Sequence, residues 1–359
     1  MNLRHWVQIY FVPGAVLVSV IMGGGYGTGR EVVEYFSQYG TVGGLLGISL
    51  ATVIFGTVLS FTFEFARRFQ VFDYKSFFKA LIGPFWIVFE ILYIALFILV
   101  LAVISSGASQ ILLQEFNVPE WLGMSSMLLL VAVFVLFGRD TIERLLALLC
   151  LGIYGVFGLY FYEILSHSNV TLASLSTQEP TGTAWLSGGF LYPFYNLAIA
   201  PVLLFTIRNH QNRKQSVLSA WIAAIMVMLP ALLFHLSFIP GLPEVLDESI
   251  PNYWMIGEFG SPLLKLVFVL ALFCTLIETG IGLIQGVVER VQAGTAQQAL
   301  GTSKKLAITA ISIGTAYLFG SLGIIALIAK GYSFLGLGFA LVYVLPILSI
   351  GYVKLRRPE

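Results

Sequence analysis

The sequence predicts an all-α polytopic membrane protein of about ten transmembrane helices, and three observations carry that expectation. Hydrophobic residues make up 58% of the 359-residue chain and charged residues 10%, with a mean hydropathy of +0.91. A soluble domain carries about 25% charged residues, so this chain has too little polar surface to dissolve. Helix-length apolar runs alternate with short polar joints, a pattern unlike the roughly 10-residue alternating strands of a barrel. Counted as spans, the runs place all of the nineteen basic residues except Arg30, Lys265 and Lys330 on the joints of one face. By the positive-inside rule that face is cytoplasmic, which predicts an integral plasma-membrane protein with both termini inside.

A spanning helix needs about 20 apolar residues. On that measure the first span covers residues 7–38, the second 43–65, the third 84–113, the fourth 121–137 and the fifth 145–165. A polar joint without Lys or Arg follows at 166–183, as an external loop should. The sixth span covers 184–207, the seventh 216–239, the eighth 262–289, the ninth 305–328 and the tenth 333–353. Residues 240–254 form a second long external segment, suited to a lid. The polar joint divides the chain into halves 1–165 and 184–359 of about five spans each. Because five is odd, the second half enters the membrane from the opposite face. No cleavable leader is expected, since the first run lacks a small-residue cleavage site.

The first span is interrupted by Gly23-Gly24-Gly25-Tyr26-Gly27-Thr28-Gly29. Each glycine costs a helix roughly 1 kcal/mol relative to alanine, and in hydrocarbon every freed N–H and C=O needs a partner. Such a break persists where protein or a bound ligand supplies those partners, which is how discontinuous helices build sites in secondary transporters. A second interruption is expected in the sixth span, at Gly188-Gly189 and Pro193, because proline removes a donor and clashes with the preceding turn. Interruptions at corresponding positions of two halves point to a transport site.

These breaks, with Glu278-Thr279-Gly280 and Gln285-Gly286 in the eighth span and Ile328-Ala329-Lys330-Gly331-Tyr332 before the last, resemble the YkvI-type family of amino-acid permeases. That family is placed in the amino acid–polyamine–cation superfamily, and the similarity runs over essentially the whole chain. It implies the LeuT-type fold: two inverted five-helix repeats, with the first and sixth helices unwound around the substrate. In sodium-coupled relatives of that fold the eighth helix offers a carbonyl and two hydroxyl residues to the ion. Here Thr275, Glu278 and Thr279 stand at that spacing, so a carboxylate replaces the middle member.

Candidate substrate contacts follow from the breaks. Gly23, Gly24, Gly25 and Gly27 allow close approach of a ligand, and Tyr26 and Thr28 offer hydroxyls. Orphan N–H groups of the half-helix after the break attract a carboxylate. Small-residue helix packing also explains Gly25 and Gly29, but not five glycines in seven residues. In the sixth span Phe190, Tyr192, Phe194, Tyr195 and Asn196 supply aromatic walls with polar handles. Ser106 and Gln110 add a polar patch where the third helix of this fold passes the site. Arg30, Glu31 and Glu34 follow the break, with Arg30 and Glu34 at i,i+4 spacing on one face; they form an outer gate, meet a charged substrate group, or belong to a solvated external half-helix.

Glu278 lies roughly 24 Å beyond Pro262 along its helix, deep within the span. An ionisable group there is a functional hypothesis by default. With Thr275 and Thr279 it is expected to couple transport to an ion, by binding Na⁺ as a hard oxygen ligand or by carrying a proton. No other cofactor and no structural metal is expected. The two cysteines, Cys150 and Cys274, lie in apolar runs, and the four histidines are scattered without ligand spacing. The net charge of +1 gives no nucleic-acid footprint. No phosphate loop or nucleophile–base constellation marks an enzyme. Asn169-Val170-Thr171 matches a glycosylation sequon of low specificity.

The expected function is therefore cation-coupled secondary transport of a small zwitterionic solute, such as an amino acid, by alternating access. The alternative is a membrane amino-acid sensor of the same fold that does not transport. The expected partners are that solute and the lipid bilayer.

Overall fold

The glycine run breaks the first span as expected. In the computed structural model, which describes residues 3–137, 140–167, 182–294 and 301–357, helix Leu3–Tyr10 bends by 49° into helix Val12–Ile21. The chain then widens into a π-type turn at Met22–Tyr26 and leaves helical geometry at Gly27–Gly29. Gly29, at φ +78°, reverses the backbone in the left-handed region that glycine alone enters freely. A six-residue half-helix, Arg30–Tyr35, completes the span.

The second span is Gly40–Phe69, ended by Gln70 in the left-handed conformation. The joint after it folds into a short helix, Tyr74–Ile82, whose first turn is capped by Asp73: its Oδ1 accepts from Ser76 N at 2.9 Å. The third, fourth and fifth spans are Trp86–Phe116, Glu120–Phe137 and Asp140–His167. The seventh is Arg213–Phe238 and the eighth Pro262–Gly294. Between these two, residues 239–259 form short helical pieces, including Pro251–Phe259.

Two boundaries differ from expectation. The ninth helix is Thr302–Gly320, and Gly323 at φ +84° starts the next element at Ile324. Residues 324–328 thus belong to the tenth span, which continues through a wide turn at Leu327–Tyr332 to Arg356. The sixth span does not unwind at 190–196. Trp185–Asn196 stays α-helical through Pro193, then tightens into a 3₁₀ helix over Leu197–Ile207. Its glycines serve packing: a Cβ on Gly188 would collide with the Tyr35 carbonyl, and one on Gly189 would meet Leu50 at 2.8 Å.

Among the described residues six helices are long and apolar enough to cross a bilayer, seven if the bent first pair counts. The fourth, fifth and ninth helices, of 18, 28 and 19 residues, complete the expected set. Large apolar side chains such as Ile91, Leu129, Leu270 and Phe334 stand exposed along these helices, as lipid-facing residues must. Packing between spans repeats under a shift of five. The first packs on the seventh as the sixth packs on the second, and the third on the ninth as the eighth on the fourth. The fifth meets the eighth as the tenth meets the third. Most of the joint at 166–183, with the sequon at Asn169, lies outside the described residues, as do Arg139 and the side chains of Arg144 and Cys150.

Candidate functional site

The first-span break leaves carbonyls that need donors, and one residue supplies them. Asn252 Nδ2 donates to the carbonyls of Tyr26 at 2.9 Å and Gly27 at 3.0 Å, and Asn252 N donates to Thr28 O at 3.2 Å. A Cβ on Gly29 would lie 2.5 Å from Asn252 Oδ1, so glycine is required there for close approach as well as for φ. The sequence suits residues 240–254 to a lid but assigns Asn252 no role. A lone asparagine outside the apolar runs carries no signal of what it reaches.

Past the break, Thr28 Oγ1 accepts from Arg30 N at 3.3 Å. Glu31 then turns back across the gap: its carboxylate is the group that a Cβ on Gly25 would meet, at 2.8 Å from Oε2. Glu31 is 2% exposed, and Tyr195 Oη donates to Oε2 at 2.5 Å. The protein thus places its own carboxyl group beside Gly25, where a substrate carboxylate was expected, on a half-helix of six residues that has little dipole to offer.

Glu31 and Gly25 line a cavity of about 90 Å³ between the first, third, sixth, eighth and tenth spans. Tyr93 and Phe97 come from the third span, Tyr195 and Asn196 from the sixth, Thr279 from the eighth and Tyr332 from the tenth. Tyr332 stacks on Tyr195 with centroids 4.7 Å apart and planes at 27°. The wide turn of the tenth span is held by Tyr35, whose hydroxyl donates to Ile328 O at 3.0 Å. Among the described residues of the lining Glu31 is the one carboxylate, and there is no Lys, Arg, His, Cys or Met.

The other expected contacts are distributed differently. Gly23 and Gly24 lie in the wide turn beside Gly25. Tyr26 is fully buried away from the cavity, donating to Val227 O at 2.8 Å and stacking near Phe234. Tyr192 sits in the aromatic core among Tyr26, Tyr35 and Phe36. Phe190 is 43% exposed and faces outward, with Phe194 packed beside it. Neither Ser106 nor Gln110 is part of the lining; the Ser106 carbonyl accepts from Ser109 Oγ at 2.7 Å within its own helix. Of the eighth-span triad only Thr279 reaches the cavity. Thr275 Oγ1 donates to Ala271 O at 2.8 Å, and the half-buried Glu278 stands outside the lining. Spacing fixes a shared helix face only to within a quadrant, and the cavity meets one edge of that face.

Charged contacts lie on both sides of the cavity. On the side of the half-helix, Arg30 pairs with Glu34 at 2.9 Å and donates to the carbonyls of Leu246 at 2.6 Å and Glu248 at 3.1 Å. Burial, then the neighbouring Asp247, pushes the Glu248 carboxyl above its ordinary range. On the side of the N-terminus, Arg290 pairs with Glu90 at 2.6 Å, its guanidinium 4.3 Å from the ring centres of both Tyr74 and Tyr93.

No family model matches the chain. It is 26% identical over 343 residues to YkvI of Bacillus subtilis, an uncharacterised membrane protein, covering 89% of this chain and 90% of that one. The backbone matches the manganese transporter of Eremococcus coleocola, crystallised with an aromatic bis-isothiourea compound. That match has a TM-score of 0.58 and 17% identity, over 97% of this chain and 80% of the transporter. Two variants of the same transporter match with TM-scores of 0.53 at 18% identity. Identity this low shows the fold alone: a polytopic helical membrane protein built like a transporter.

Proposed function

We propose that this chain is a secondary transporter of a small amino-acid-like solute, and that Glu31 receives the solute's ammonium group. The observation that carries the reading is a buried carboxylate folded across a helix break into a cavity walled by tyrosines. Such a group is expensive in the bilayer unless a cation or proton neutralises it. The rings of Tyr195 and Tyr332, which line the cavity, favour an organic cation through their quadrupoles. Asn196 and Thr279 offer neutral donors for a carboxylate or carbonyl. The cavity is well below the roughly 300–1,000 Å³ of drug-sized ligand sites, which suits a solute of few atoms.

The structural neighbour's manganese is a poorer match to this donor set. Mn²⁺ favours about six hard oxygen-type ligands, whereas the lining supplies one carboxylate, one amide and one aliphatic hydroxyl. Among the described residues no group of three His, Cys, Asp or Glu side chains converges. Either a proton or Na⁺ serves as the coupling ion, meeting Glu31 or the nearby Thr279 while the solute is absent. In this reading the membrane is the plasma membrane and both termini are cytoplasmic, following the basic joints.

Uptake of labelled amino acids and small amines into proteoliposomes, under imposed proton or Na⁺ gradients, tests the proposal. Saturable uptake driven by one of the two gradients is expected. Saturable binding without flux would mark a sensor instead, and gradient-driven manganese uptake alone would replace the solute class.

A further inference from the structure

A second cavity, of about 250 Å³, lies apart from Glu31, at the face that holds the chain's N-terminus. It opens between the end of the second span, the start of the seventh and the end of the tenth. It shares no residue with the Glu31 cavity.

Among the described residues its charges do not balance. Arg68, Arg213 and Arg356 converge on it, and Glu64 is the one acid that these residues place in its wall. Arg67, from outside the lining, already holds Glu64 through two bonds of 2.8 Å. Arg68 donates to the carbonyls of Leu355 and Arg357, which ties the end of the tenth span to the second. Arg213 makes no hydrogen bond or ion pair among the described residues, and Arg356 lies over the Tyr352 ring at 4.3 Å. Ser60 Oγ spends its proton on Gly56 O at 2.6 Å. Phe61 and Tyr352, with centroids 6.1 Å apart, form an apolar wall.

We infer that this cavity binds a phosphate-bearing anion, either an anionic phospholipid headgroup or a soluble phosphate compound. Guanidinium groups match phosphate oxygens in bidentate geometry. Basic pockets between helix ends near the bilayer surface are suited to lipid headgroups. Beside the cavity the tenth span continues into Val353, Ile350, Leu345 and Leu341, all exposed apolar residues. That stripe offers an acyl chain a path that a soluble phosphate would not use.

The test is a thermal-shift measurement on delipidated protein in detergent, with dioleoylphosphatidylglycerol, dioleoylphosphatidylcholine, inorganic phosphate and chloride at matched ionic strength. A ligand that binds the folded state raises Tm as its concentration passes Kd, and a shift of about 3 °C or more is expected. Phosphatidylglycerol acting where phosphatidylcholine does not assigns a lipid headgroup; inorganic phosphate acting where chloride does not assigns a soluble compound. In either case Arg213→Gln should at least halve the shift, and Arg213→Gln with Arg356→Gln should remove it. Lysine at both positions should keep most of it. Replacing the exposed Arg213 breaks no hydrogen bond or ion pair among the described residues, so the single variant keeps the test valid if the double variant folds poorly. No shift with either probe, or an undiminished shift in Arg213→Gln, would overturn the inference. Because the readout is binding at a separate cavity, a failure here leaves the transport proposal standing, and the reverse also holds.

Discussion

Gly25 and Glu31 act as a pair. The Cα of one leaves the space that the carboxylate of the other fills, and the nearest atoms around a Cβ at position 25 all belong to Glu31. Gly25→Ala should therefore move the carboxylate off Tyr195 rather than unfold the span. We expect solute uptake to fall at least tenfold while the variant keeps a wild-type elution profile in detergent. Gly282→Ala is the control, since a Cβ there meets nothing within 4 Å. Equal uptake by both variants would reduce Gly25 to a packing residue. At this scale the sequence was partly legible. Five glycines in seven residues announce the break, and Tyr195, Asn196 and Thr279 line the same cavity as Gly25. Glu31 was visible only as one of three charges after the break, because nothing in linear spacing shows a side chain folding back over the chain that precedes it. Glu278 drew attention by depth along its helix, whereas direction around the axis decides what a residue faces.

Among the elements, the broken first span depends on a segment more than two hundred residues away. Residues 239–259 grip it twice, through Asn252 at the freed carbonyls and through the Leu246 and Glu248 carbonyls that receive Arg30. Asn252→Ala leaves two buried carbonyls without their side-chain donor, which costs about 1–3 kcal/mol. Its Tm should drop by several degrees, and protease cleavage between residues 239 and 259 should accelerate. An unchanged Tm would mean that water replaces the amide without loss. The helices themselves were legible because length and apolarity are read directly from the chain. The sixth span shows the limit. Gly188-Gly189 and Pro193 spell a break locally, yet close packing against Tyr35 and Leu50 holds the helix intact, and the change of geometry comes later, at Leu197. The tenth span began earlier than hydropathy indicated because Gly323 turns the chain inside a continuous apolar run.

Over the whole molecule, spans pack in a pattern that repeats under a shift of five. Two copies of one five-span unit entering the membrane from opposite faces would produce that pattern, and it supports reading the halves as inverted repeats. Such a frame moves by rocking one set of spans against the other around a fixed midplane site. Charged contacts flank the cavity on both sides: Arg30 with Glu34 and the 246–248 carbonyls, and Arg290 with Glu90. In the proposed transport cycle, separation of one set would accompany opening toward its face. The account stands on the carboxylate between them. Gradient-driven uptake by Glu31→Gln and Glu278→Gln proteoliposomes, side by side with wild type, tests it most directly. We expect Glu31→Gln to lose at least 90% of coupled uptake and Glu278→Gln to keep most of it. Full uptake by Glu31→Gln with loss in Glu278→Gln would move the working charge to the eighth span and contradict the account.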